Sequence, residues 1–213
     1  MPTPVVDPLG VLRRVLQPRE RPAPGECCDL CAEPIGASHS HVAHIAERRL
    51  MCTCRGCYLL FTRSGAGAQK MLAVPEEYDR LDDFAFTQEQ WDDLAIPVDL
   101  VFVFRQTDPN DEGRPGFVAL YPSPAGATES ELAAPTWERI AAANPAIAEL
   151  AADVRAALLR RTGPGEFTCL LVPVDACYEL VGLVRKHWSG FSGGAEVWQR
   201  IDEFFETMSA KCR

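Results

Sequence analysis

Two cysteine pairs, Cys28-Asp-Leu-Cys31 and Cys54-Arg-Gly-Cys57, constrain this chain more than any other feature. A CxxC turn lets two sulfurs converge on one ion, and two such knuckles roughly twenty residues apart match a tetrahedral four-thiolate zinc module. Between the knuckles, His41-Val-Ala-His-Ile45 and Arg49-Leu-Met51 can pair as a hairpin that returns the second knuckle to the first. Tyr58-Leu-Leu-Phe61 then opens a helix with the last two ligands at its start. Knuckle, hairpin and helix in that order make a treble-clef-like zinc module with Cys28, Cys31, Cys54 and Cys57 as ligands.

Iron is the alternative metal, because rubredoxin-type sites also use two cysteine knuckles. Those knuckles usually carry glycine after the second cysteine, where Ala32 and Tyr58 stand here. Ligand type and a helical second knuckle favour zinc. Cys27 abuts Cys28 and could replace it at a wider spacing, although Cys28 gives the tighter knuckle. Cys52 is expected to point away as a small packed side chain, as free cysteines commonly do. His39, His41 and His44 lie inside the module and read as polar hairpin residues, with a substitute zinc ligand among them left open. A ββα-metal nuclease fits poorly, since Ala43 precedes His44 where such sites place an acid.

The 213 residues suffice for one large domain or one domain plus a small module, and 47% hydrophobic residues supply a core. Six of the nine cysteines fall within residues 27–57. With no signal-peptide apolar stretch, that clustering favours metal over disulfides and a cytoplasmic location. No apolar run is long enough to insert in a membrane. The net charge of −9 is uneven: residues 1–65 carry +2, and the rest −11. An acidic body repels polyphosphate, which argues against general nucleic-acid binding.

The chain divides into a proline-rich basic arm (1–25), the four-cysteine module (26–65) and an α+β body (66–213). In the arm, Leu9, Leu12 and Leu16 have helical spacing between Pro8 and Pro18. In the body, Thr87-Gln-Glu-Gln90 reads as a capping box, with Trp91 and Leu94 on the buried face of its helix. Val98–Phe104 and Gly116–Tyr121 predict an antiparallel strand pair, and Phe167–Pro173 another buried strand. Helices are expected over 136–143, over 145–161 (Ile147, Leu150, Val154, Leu158, Leu159), from the N-cap Asp175 to 188, and over 195–208. Tyr121–Ser130, with Pro122 and Pro124, reads as a rigid loop. The expected body is a small, mainly antiparallel sheet packed with helices.

Several strings together resemble a known but uncharacterised family: Cys28-Asp-Leu-Cys31, Cys52-Thr-Cys-Arg-Gly-Cys-Tyr-Leu-Leu-Phe61, Tyr121–Ser130, Pro173-Val-Asp-Ala-Cys-Tyr-Glu-Leu-Val-Gly182 and Ser192-Gly-Gly194. The chain is similar, over most of its length, to small actinobacterial proteins encoded beside high-affinity nickel–iron hydrogenases. The resemblance implies an accessory role, with a hydrogenase component or maturation protein as partner, and assigns no activity.

Arg13, Arg14, Pro122 and Pro124 are the candidate partner-contact residues. Cys177 is the one candidate nucleophile, because the first turn of a helix favours thiolate. Asp175 opposes that effect, and helical spacing puts Cys177 on a buried stripe, so packing is the expected role. No catalytic residue is assigned, and an enzyme using Cys177 stands as an alternative.

Overall fold

The computed structural model describes residues 26–62, 70–107, 115–130, 134–190 and 193–213. The expected helical arm with Arg13 and Arg14, the Gly65–Ala68 joint and the turn at 108–113 lie outside the described residues.

Alternating side chains in the first part of the chain build a three-stranded sheet. Strands β1 (Ser40–His44) and β2 (Arg49–Thr53) pair antiparallel, with His41 opposite Cys52 and Val42 opposite Met51. Strand β3 (Met71–Ala73) adds to the other side of β1, so the order is β2-β1-β3. Successive residues of a strand face opposite sides. Val42 and Met51 are therefore buried on one face, while His41 and Ala43 share the other. The third strand comes from beyond residue 65, so this sheet reaches past the module boundary drawn from sequence. After β2, helix α1 (Arg55–Leu59) starts at Cys54, which holds the extended N-cap conformation. The buried Tyr58 secures α1 by donating its hydroxyl to the Val74 carbonyl at 3.0 Å.

The body is a six-stranded antiparallel sheet. Its strands are β4 (Asp79–Arg80), β5 (Leu100–Thr107), β6 (Pro115–Ser123), β7 (Gly126–Glu129), β8 (Arg155–Gly163) and β9 (Glu166–Pro173), in the order β4-β9-β8-β5-β6-β7. Helices α2 (Gln88–Asp93), α3 (Ala134–Ala143) and α4 (Pro145–Ala148) cover one face, with Trp91, Trp137 and Ile140 packed on Val101, Val103 and Leu159. Helices α5 (Val174–His187) and α6 (Gly194–Lys211) cover the other, where Leu180, Ile201 and Phe204 meet Phe102, Leu158 and Leu170. Helices with antiparallel sheets make this the α+β class the sequence pattern predicts. The capping box of α2 is also present: the Thr87 hydroxyl accepts the Gln90 N–H, and the Gln90 side chain accepts the Thr87 N–H.

Three expectations are corrected. The long helix over 145–161 is only α4, followed by strand β8. Its apolar residues fit helical spacing, but Ala156–Leu159 is apolar at every position, and both cores draw on it in alternation. A strand covered on both faces needs that pattern. Asp153 breaks the helical path with φ 65, and its carboxylate accepts the Thr107 N–H at 3.0 Å, tying the turn to β5.

The Tyr121–Ser130 loop is instead the β6–β7 hairpin, with Tyr121 opposite Thr128 and Pro122 opposite Ala127. Pro122 is buried, and Pro124 is exposed at the turn. Gly126 has φ 113, and a Cβ there would lie 3.0 Å from Arg185 Cδ and 3.3 Å from Val181 Cγ1. Glycine is what lets this hairpin pack closely on α5. Finally, Asp175 is not the N-cap of α5. Pro173 holds that place, and Asp175 sits in the first turn with its side chain turned toward the small sheet.

Candidate metal centre

The sequence builds each knuckle from a different local structure. In the first, Cys28 N–H donates to Glu33 O and Ala32 N–H to Cys28 O, both at 2.8 Å. Ala32 takes φ 59, the left-handed conformation glycine usually supplies, at a steric cost of about 1–2 kcal/mol. In the second, Cys54 caps α1, and its sulfur accepts the Cys57 N–H at 3.5 Å. Asp29 staples the two regions together: its N–H donates to Cys52 O at 2.9 Å, and its carboxylate accepts Cys52 N–H at 2.8 Å.

The outcome is that Cys28, Cys31, Cys54 and Cys57 offer sulfurs that all lie within 4.8 Å of one another. Cys31 Sγ and Cys54 Sγ are 3.6 Å apart. A tetrahedron with metal–sulfur bonds of about 2.3 Å has edges of about 3.8 Å, so this pair already has the spacing of two ligands on one ion. Four thiols suit zinc or iron and not the hard cations magnesium and calcium. The cluster can therefore hold a metal ion.

Protons are unevenly held within it. Burial works against ionising Cys28, yet the backbone N–H groups of Cys54, Leu30 and Cys31 outweigh it and bring the thiol down to about 6. Cys57 is pushed up to about 12, first by its hydrogen bond with Cys31 and then by burial. Hydrogen bonds among the sulfurs thus retain protons that a bound cation displaces on binding.

A family of unknown function, DUF5947, matches residues 27–212. The chain belongs to this family. Neither a curated protein nor a solved structure matches it. The family match spans both the cysteine cluster and the six-stranded body.

The remaining candidate residues fall in three places. Cys27 forms an isolated bridge with Pro34 at the base of the first knuckle. Cys52 lies outside the four-cysteine cluster, but it is more than the small packed side chain expected from sequence. It joins His39 and His41 in a second cluster whose donor atoms also lie within 4.8 Å of one another. Burial, then the charges of Asp29 and Glu26, raise its thiol above the ordinary range. His44 contacts Glu47 at 3.6 Å at the end of the β1–β2 hairpin.

Cys177 is almost fully buried on α5, and burial, with Asp175 adding to it, pushes its thiol well above the usual range. It borders an apolar cavity of about 220 Å³ between the hairpin and the body, together with Leu50, Phe102, Phe104, Leu120 and Tyr178. A protonated, enclosed thiol is a poor nucleophile. Site-resolved thiol labelling of the folded protein at neutral pH is expected to modify Cys177 orders of magnitude more slowly than the unfolded chain. Rapid labelling would restore the enzyme alternative.

Sequence reading missed a group of exposed leucines beside the cysteine cluster. Leu30 lies between two of the cysteines, and Leu59 and Leu60 directly follow Cys57 at 52% and 73% exposure. The signal was available: Leu59 ends a five-residue helix and Leu60 caps it, and so short an element can bury only one side.

Proposed function

We propose that the chain is a zinc-binding accessory protein that works by protein–protein contact, with a nickel–iron hydrogenase component or maturation protein as its partner. The convergence of four cysteine sulfurs carries this reading. Four thiolates complete the tetrahedral shell of zinc, so that centre has no position for water or substrate and its role is to hold a shape. The shape is a treble-clef-like arrangement of knuckle, hairpin and short helix. It presents Leu30, Leu59 and Leu60 around the centre as an apolar contact patch. The choice of partner class rests on the resemblance of the strings around both knuckles, Pro173–Gly182 and Ser192–Gly194. The β6–β7 hairpin is a second contact region, because β7 ends the strand order and Pro124 is exposed at its turn.

A rubredoxin-like iron carrier is the second reading, and Ala32 favours it, since its left-handed conformation gives the first knuckle the turn that glycine supplies in such sites. The helical second knuckle favours zinc. Elemental analysis separates the two, and an iron–tetrathiolate protein purified in air is red.

The contact role is tested by co-expressing the tagged chain with the subunits and maturation proteins of an actinobacterial nickel–iron hydrogenase. One of them is expected to co-purify with the chain, and replacement of Leu59 and Leu60 by serine is expected to abolish that association while zinc content stays at one ion in the four-cysteine centre. Retention of none of those proteins, or full retention by the double variant, overturns the reading or its contact patch, respectively.

A further inference from the structure

We infer that His39, His41 and Cys52 form a second metal site, distinct from the four-cysteine centre, which takes a first-row divalent cation such as zinc through two imidazoles and one thiolate. The two sets of residues share no member. The geometry follows from strand register. His39 immediately precedes β1 and His41 is its second residue, two positions on, so extended backbone brings both side chains to one face. Cys52 is the direct cross-strand partner of His41 in β2. Opposed residues in an antiparallel pair bring their side chains together. The two rings are 4.8 Å apart, and the three donor atoms lie within 4.8 Å of one another.

Both histidines are held in the tautomer a metal requires. His39 Nδ1 is 2.8 Å from the Gly36 carbonyl, which can only accept, so Nδ1 carries the proton and Nε2 keeps its lone pair. Glu26 lies 3.5 Å from the same Nδ1. His41 Nδ1 is 2.8 Å from the Asp175 carboxylate, which leaves its Nε2 as the free donor in the same way. A carbonyl or carboxylate behind each imidazole is how metal-bound histidines are oriented. The His39 side chain is 10% exposed, and its Nε2 is buried with no hydrogen-bond partner among the described residues. A buried lone pair without a partner calls for an explanation, and a cation between the rings and the thiol supplies one.

The donor set selects the ion. Two imidazoles with one thiolate suit borderline first-row ions and not magnesium or calcium, which demand oxygen. Three protein donors fill three of four tetrahedral positions, so this site takes a water or an exogenous ligand and exchanges its ion more readily than the four-cysteine centre. It also lies at the junction of the small sheet and the body, because Asp175 belongs to α5.

The test is titration of the full-length, metal-free, reduced protein with cobalt(II), followed by visible absorption, with zinc counted in parallel by native mass spectrometry. Two ions per chain are expected, the tighter one showing the four-thiolate spectrum. Cys52→Ser and His39→Gln are each expected to take one ion with that spectrum unchanged, which also shows that the fold is intact. Asp175→Ala, acting as a positioning residue, is expected to weaken the second ion about 10–100-fold and leave the first unaffected. Saturation of the unmodified chain at one ion overturns the proposal, as does retention of two ions by both Cys52→Ser and His39→Gln. Loss of the four-thiolate spectrum from the unmodified chain would instead count against the four-cysteine reading.

Discussion

Replacing any one of Cys28, Cys31, Cys54 or Cys57 by serine is expected to release the ion held by the four sulfurs and unfold residues 26–62, while the body stays folded. Apart from bound metal, the module has little to hold it. Its described core is Val42, Met51 and Tyr58 on one side, and on the other a small contact of Ala43, Val74, Val154 and Val174 with the body. Zinc binding supplies on the order of 10 kcal/mol to modules of this size, several times what such a patch can contribute. The body has two cores of its own, one on each face of its sheet. Hydrogen exchange should therefore lose protection across Ser40–Thr53 and keep it across Leu100–Thr107. Full ion occupancy in any of the four variants would remove that residue from the ligand set. Concerted loss of protection in both sheets would show that the body depends on the module.

The second large effect is expected inside the body, at a residue that belongs to neither metal candidate. Asn144 is 3% exposed, and its side chain makes three hydrogen bonds. Its Oδ1 accepts the Ala85 N–H at 2.9 Å, and its Nδ2 donates to Ala85 O at 3.0 Å and Ile140 O at 2.8 Å. It thus clamps the segment before α2 against the end of α3. At about 1 kcal/mol per bond, Asn144→Ala is expected to cost about 3 kcal/mol. In a chain of this length that lowers the melting temperature by roughly 6–12 °C. Asn144→Asp should be worse than alanine at neutral pH, because it sets a carboxylate oxygen against two carbonyls that need a donor. Equal melting temperatures for Asn144→Asp and the unmodified chain would refute the clamp.

What could be read from the sequence depended on how local its cause was. The cysteine knuckles, the β1–β2 hairpin and the capping box at Thr87 each arise within a few residues, and each was legible. β8 was misread because Ala156–Leu159 is buried by contacts with strands and helices distant in sequence, and a short apolar run fits a buried helix as well as a central strand. The β6–β7 hairpin was hidden by Pro122 and Pro124, residues that ordinarily signal a loop. The cluster of His39, His41 and Cys52 was harder still. The His-x-His spacing is visible in the chain, but pairing it with Cys52 requires the register of His41 against Cys52. The same applies to Asp175, whose partner His41 is 134 residues away.

The strand order has a kinetic consequence. Four of the body's strands form two hairpins from neighbouring sequence, β5 with β6 and β8 with β9, each able to assemble on its own. They join at the β5–β8 seam, where Leu100 meets Arg160 and Phe104 meets Ala156. Closing that seam brings together segments roughly fifty to sixty residues apart before either core can consolidate, and the lost chain entropy is repaid only afterwards. The seam is therefore expected to contribute to the folding barrier. In stopped-flow refolding and unfolding, substitutions at Val103 or Ala157, which oppose each other across it, are expected to slow folding, whereas those on the outer faces of α5 and α6 should chiefly speed unfolding.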